Sequence, residues 1–273
     1  MRVIPMLFYM LTKFRRRLQP LTRRPPISCS PTSDLFPWRK DRNWDTYFRI
    51  IDICSLFPED DRSAHSHRKV DVIFFDPSGT ELKRLRLSLV KPRDASESLL
   101  KISNLLNSQT ASFGTFCVLH SFTPSCLQSL NCSIAERGYI SFSHNLSTVQ
   151  TYLHGNLDAV SRNSYGGVQL LGGSSILPRI FNIQYLFDPK DENELFIVNS
   201  TSKTRDFAIY YQTPGSRRNI LSVDTIKLPS RGCQIVQCIK LEVPFFVSIK
   251  SRLVMARPII FTKNSKHFNV FHA

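Results

Sequence analysis

From residue 137 onward the chain alternates short apolar runs with glycine, proline, asparagine and aspartate at near-regular spacing. Leu195-Phe196-Ile197-Val198, Phe207-Ala208-Ile209-Tyr210-Tyr211, Cys233-Gln234-Ile235-Val236, Phe245-Phe246-Val247-Ser248-Ile249 and Ile259-Ile260-Phe261 are the clearest runs. This rhythm predicts short β-strands joined by turns, as in a sandwich or barrel. Upstream, residues 47–53 and 70–75 read as strands, and Asp76-Pro77-Ser78-Gly79 is a turn sequence. The alternating Leu85-Arg86-Leu87-Ser88-Leu89 is the expected hairpin partner of the strand before that turn. Residues 96–107 read as a short helix with Leu99, Ile102, Leu105 and Leu106 inward, and residues 113–122 return to strand.

The expected fold is therefore all-β, an antiparallel sandwich or jelly-roll in one body or in two β lobes. Three regions follow: a leader and proline-rich linker over 1–40, an N-terminal β lobe over 41–135 and a C-terminal β-sandwich over 136–273. With 42% hydrophobic residues in 273, the chain can bury a sizeable core. Its 20 phenylalanines suit pleated, half-buried surfaces.

The net charge of +15 is unevenly placed. Residues 1–33 hold seven basic and no acidic side chains, leaving 29 basic against 21 acidic, a net of +8, for the rest. Val3, Leu7, Leu11, Phe14 and Leu18 fall on one face of a short amphipathic helix. Lys13, Arg15, Arg16 and Arg17 make it basic, so these four are the candidate contacts to an anionic membrane surface. A transit peptide or an unstructured start has the same composition. The apolar run over 3–11 is too short to span a bilayer, and the basic cluster after it disfavours a secretory signal. A cytoplasmic location, peripheral to a membrane, is the expectation.

Seven cysteines occur without any CxxC pair, which favours a reducing compartment. Cys233 and Cys238 are five apart and face opposite sides of a regular strand, and Cys117 reads as a buried thiol. Sequons begin at Asn131, Asn145 and Asn199 but carry no weight without a secretory signal.

Two candidate ligand contacts emerge. Tyr152-Leu153-His154-Gly155-Asn156-Leu157-Asp158 places the imidazole of His154, the amide of Asn156 and the carboxylate of Asp158 around a glycine. Such a turn can meet a polar ligand, or simply bond its own backbone. Counting by twos from Val247 puts Ile249, Ser251, Leu253 and Met255 inward, and Arg257 shares their parity. An inward arginine wants a carboxylate partner or an anionic ligand. No metal site, cofactor motif, nucleophile elbow or phosphate loop is legible. Lys83, Arg84, Arg86 and Arg217-Arg218 read as solvated basic positions, so nucleic acid is disfavoured as a partner.

One resemblance bears on function. A strand ending in Val198-Asn199, the segment Ile226-Lys227-Leu228-Pro229-Ser230-Arg231-Gly232 and a late strand at Arg257-Pro258 resemble the small β-sandwich proteins of the sensory rhodopsin transducer type. The likeness spans residues 194–261, rests on strand-and-turn pattern and implies binding of polar small molecules or carbohydrates without catalysis. The expectation is a non-catalytic carbohydrate-binding or glycan-biosynthesis accessory protein. Two other classes stay open. One is an enzyme on a sugar or sugar nucleotide, with His154 as acid/base and Asp158 orienting it. The other is a structural or scaffolding subunit that assembles through its edge strands, homo-oligomers included.

Overall fold

The fold is taken from a computed structural model that describes residues 31–50, 69–89, 99–107, 110–121, 135–136, 138–154, 159–163, 165–214, 220–254 and 257–273. The amphipathic leader, including Lys13, Arg15, Arg16 and Arg17, lies outside them, as do Asn156, Asp158 and Arg217-Arg218.

The described residues are nearly all β, as their periodicity predicts, but they do not form a jelly-roll or sandwich. Five small four-stranded sheets form a five-bladed β-propeller. Strand order in blade I is β12 (Val168–Leu170), β11 (Val160–Arg162), β1 (Thr32–Ser33) and β8 (Ala135–Glu136). Blade II runs β2 (Phe36–Arg39), β7 (Phe113–His120), β4 (Lys69–Phe75) and β5 (Glu81–Ser88). Blade III runs β10 (Gln150–His154), β9 (Tyr139–His144), β3 (Trp44–Arg49) and β6 (Leu99–Lys101). Blade IV runs β17 (Cys233–Gln237), β14 (Glu192–Val198), β19 (Ile259–Lys263) and β20 (Phe268–His272). Blade V runs β13 (Ser174–Asn182), β18 (Phe246–Leu253), β15 (Arg205–Gln212) and β16 (Ile220–Leu228). Among the described residues, pairing is antiparallel except between β1 and β8.

Burial explains why two layers do not suffice. In a sandwich each sheet keeps one wet face. Here β4 and β7 are buried on both faces. Ile73, Phe75, Cys117 and Leu119 pack with Val160 and Ala159 beside blade I, while Val72, Phe74, Phe116 and Val118 enter a second core. That second core joins blades II, III and IV, with Phe48 against Phe36 and Phe116 and Phe261 against Trp44 and Phe142. Blade IV is two-sided in the same way: Phe196 and Phe261 face this core, while Leu195, Ile197 and Ile260 face blade V. Strands over 139–170 complete sheets begun by strands over 32–120, and blades IV and V draw only on residues 174–272. Among the described residues, no sheet takes strands from both sides of 171–173.

The β4–β5 hairpin forms as expected, with Val72 opposite Leu85 and Gly79 at φ 81° in its turn. This turn abuts Pro229-Ser230-Arg231-Gly232, and Cys233 N–H donates to Pro77 C=O at 3.0 Å. A Cβ on Gly79 would sit 2.1 Å from the Ser230 carbonyl oxygen. The helix expected over 96–107 shrinks to α1 (Ile102–Leu105), because Leu99–Lys101 instead pairs with β3.

Two ionic staples cross between elements. Buried Arg39 bonds Asp41 at 2.5 Å and Glu194 at 2.6 Å, and its guanidinium lies 5.2 Å from the centre of the Trp44 ring. Asp71, 2% exposed, receives Arg86 at 2.8 Å and Arg162 at 2.7 Å, tying blade II to blade I. These two arginines and Arg84–Glu81 hold the Asp71 and Glu81 carboxyls below their ordinary range, against the opposing effect of burial.

Candidate functional site

Blade III has one dry face and one wet face. Phe48, Ile140, Phe142 and Leu153 point into the core. The alternate positions point outward and fall into rows across the sheet. Gln150, Ser143 and Asp45 form one row, Tyr152, Ser141, Tyr47 and Lys101 the next, and His154, Tyr139, Arg49 and Leu99 the third. Tyr152, in the middle of β10, is 57% exposed and Tyr139, at the start of β9, 46%, high values for large side chains in a sheet. Directly opposed pairs lie about 5 Å apart, so Tyr152 and Tyr47, two strands apart, stand roughly 10 Å from each other. Tyr139 lies diagonal to both.

Polar groups are fixed around these rings. Ser141 Oγ donates to Gln150 Oε1 at 2.9 Å, and Tyr152 O–H reaches the same oxygen at 3.3 Å. Ser103 Oγ donates to Asp45 at 2.7 Å. The Lys101 ammonium sits 3.3 Å from Asp45 and 5.7 Å from the centre of the Tyr47 ring, and its bond to Asp45 raises its pKa. The face thus offers flat aromatic surface, with amide and carboxylate groups of defined direction in the row beside the rings.

His154, singled out from sequence, stands exposed at one corner of this face. Its ring lies 5.7 Å from that of His272, whose Nε2 is 2.7 Å from the His154 carbonyl oxygen and donates to it. Burial lowers the His272 pKa, with the His154 and Arg257 backbones pulling the other way. Arg257 is exposed rather than inward. β18 keeps the predicted parity through Leu253, but the strand ends there and β19 begins afresh at Ile259, so the count does not carry across. Even so, Arg257 and His154 both flank His272.

A cleft of about 600 Å³ opens at the other end of the blade, lined by Asn43, His144, Asn145, Lys190, Glu192 and Lys263 among others. Its walls satisfy one another: Lys263 pairs with Glu192 at 3.2 Å, and Asn145 donates to Asn43 at 3.1 Å. His144 beneath it accepts a bond from Leu146 N–H at Nδ1, and burial followed by the Lys263 charge lowers its pKa.

Other candidate chemistry is absorbed by packing. Arg84 and Arg86 are paired with Glu81 and Asp71, and Lys83 donates to the Leu105 carbonyl. Cys233 and Cys238 enter different cores on opposite sides of blade IV, as their spacing predicts. Burial pushes the Cys117 and Cys238 thiols up to about 12, which keeps them protonated and unreactive. Asn199 is wholly buried, its amide on the Leu228 and Pro229 carbonyls, so that sequon is closed in the folded chain. No group of three or more metal-ligating side chains occurs among the described residues, and no helix among them is long and apolar enough to cross a membrane. Comparison with family models, with curated proteins and with solved structures finds no match, so the transducer resemblance rests on the quoted residues alone. Nothing in the described residues bears on membrane attachment.

Proposed function

We propose that the protein is a non-catalytic binding module for a ring-shaped, hydroxyl-rich ligand of the saccharide class, held on the outward face of blade III. The observation that carries this reading is the placement of Tyr47, Tyr139 and Tyr152 on one wet face, with Gln150 and Asp45 in the row beside them and buried Ser141 holding the Gln150 amide from beneath. A pyranose presents C–H groups on its faces and hydroxyls around its rim. Tyrosine rings cover the former at little entropic cost, and amide, hydroxyl and carboxylate groups bond the latter. The spacing of Tyr152 and Tyr47 suits two linked rings better than one.

A glycan array probed with the full chain tests it. The parent is expected to give a reproducible set of hits. Tyr139→Ala with Tyr152→Ala should lose them, while the matching phenylalanine pair keeps most of the signal. Hits that survive the alanine pair would overturn the assignment of the site. Silence of the parent across the array would overturn the ligand class.

A further inference from the structure

Blade V has a second open face, and its chemistry differs. We propose that it binds single-stranded nucleic acid. Inward residues of β15 and β18 (Phe207, Ile209, Val247 and Ile249) pack onto blade IV. The alternate residues point outward. Tyr210 on β15 lies opposite Ser248, and Phe246 on β18 lies opposite Gln212, so the two rings are diagonal neighbours on the central strands. Phe246 is 38% exposed, and Tyr210 is half-buried. Across the far end of the same face lie exposed Lys250, Arg252 and Lys227. Asp206 is the one carboxylate among these outward positions of β15, β16 and β18, giving a net charge of +2.

Charge decides the occupant. The tyrosine face of blade III sets Asp45 against Arg49 and Lys101, whereas this face concentrates cations at one end and aromatics at the other. A single strand needs both: rings on which unstacked bases lie, and cations along its phosphates. A four-stranded antiparallel sheet with aromatics on its central strands is a geometry that meets those needs. Beside the rings, the half-buried Gln212 amide can bond base edges, while buried Ser248 donates to Asn182 at 2.8 Å. A lipid headgroup layer would meet the same cations and rings, so phosphatidylserine vesicles are the comparison that separates the two.

The test is fluorescence anisotropy of a labelled oligothymidylate and an oligouridylate, titrated with the full chain at several salt concentrations. The basic leader contributes equally to parent and variants, so differences report on blade V. Tyr210→Ala and Phe246→Ala should each weaken binding about 5- to 100-fold, with Tyr210→Phe close to the parent. Lys250→Ala with Arg252→Ala should flatten the dependence of log affinity on log salt by about one to two. Alanine variants that bind like the parent would overturn the proposal. So would a loss in the variants confined to phosphatidylserine vesicles, which would make the face a lipid contact. Melting curves matching the parent exclude misfolding, and Lys250→Glu, at an exposed site, supplies an independent loss.

Discussion

At the residue scale, the imidazoles of His154 and His272 meet at one corner of the tyrosine face, their rings 5.7 Å apart. His154 could be picked out as an imidazole beside a glycine, and it does stand on the aromatic face. Its neighbour His272 comes from the far end of the chain, and only tertiary structure joins them. Tyr139 was not singled out and Tyr152 only as the start of the turn around His154, although their signal is in the sequence. Tyr139-Ile140-Ser141-Phe142-Ser143 alternates aromatic or polar with apolar residues, so one face carries an exposed tyrosine. Arg257 was misplaced because period-two counting assumes an unbroken strand. His144 and half-buried His272 give a prediction. Burial lowers the pKa of both His144 and His272. Below the ordinary histidine value of about 6.5 the unfolded chain takes up protons that the folded chain refuses, so stability falls as pH drops through that point. Denaturant midpoints between pH 7.5 and 5 should decline in the parent, and His144→Gln with His272→Gln should flatten that limb. An unchanged limb would place the titrating groups elsewhere.

At the element scale, the β4–β5 hairpin was legible because strand, turn and strand are contiguous and each signal agrees. The helix over 96–107 was not, because Leu99, Leu100 and Lys101 gain more by pairing with β3 than by helical bonds. Two variants test how elements are joined. Gly79→Ala puts a methyl against the Ser230 carbonyl at a positive φ, and should cost at least about 2 kcal/mol by chemical denaturation. A cost within error of zero would mean that the two turns are not in contact. Asp71→Asn removes the acceptor shared by Arg86 and Arg162, and should cost about 1–3 kcal/mol at pH 7. The Asp71 carboxyl is held below its ordinary range. Its contribution is therefore full above the unfolded value near 4 and disappears as pH falls through the lower folded value. The parent and Asp71→Asn should converge in stability below that point, and a constant gap would contradict the ionic account.

At the scale of the whole molecule, the sequence carried the class and not the architecture. Sandwiches, barrels and propellers share short strands and frequent turns. What separates them is how many sheets share a core, and strand order here is set by partners far apart in sequence, such as β1 with β11 and β3 with β9. One clue was local. Val70-Asp71-Val72-Ile73-Phe74-Phe75 and Phe113–His120 are nearly continuous apolar runs, the pattern of strands covered on both sides. Those runs mark blade II as an inner sheet, and a two-layer fold has none. The same logic leaves blades III and V each with one open face, which is where the ligand surfaces are assigned.

Hydrogen exchange of the full chain, with and without a saccharide retained by the array, tests the central claim most directly. Protection confined to β3, β9 and β10 is the predicted result, with 205–212 and 246–253 unchanged. Protection centred on the cleft at 190–192 and 263–265, or on blade V, would contradict the assignment of the tyrosine face as the binding site.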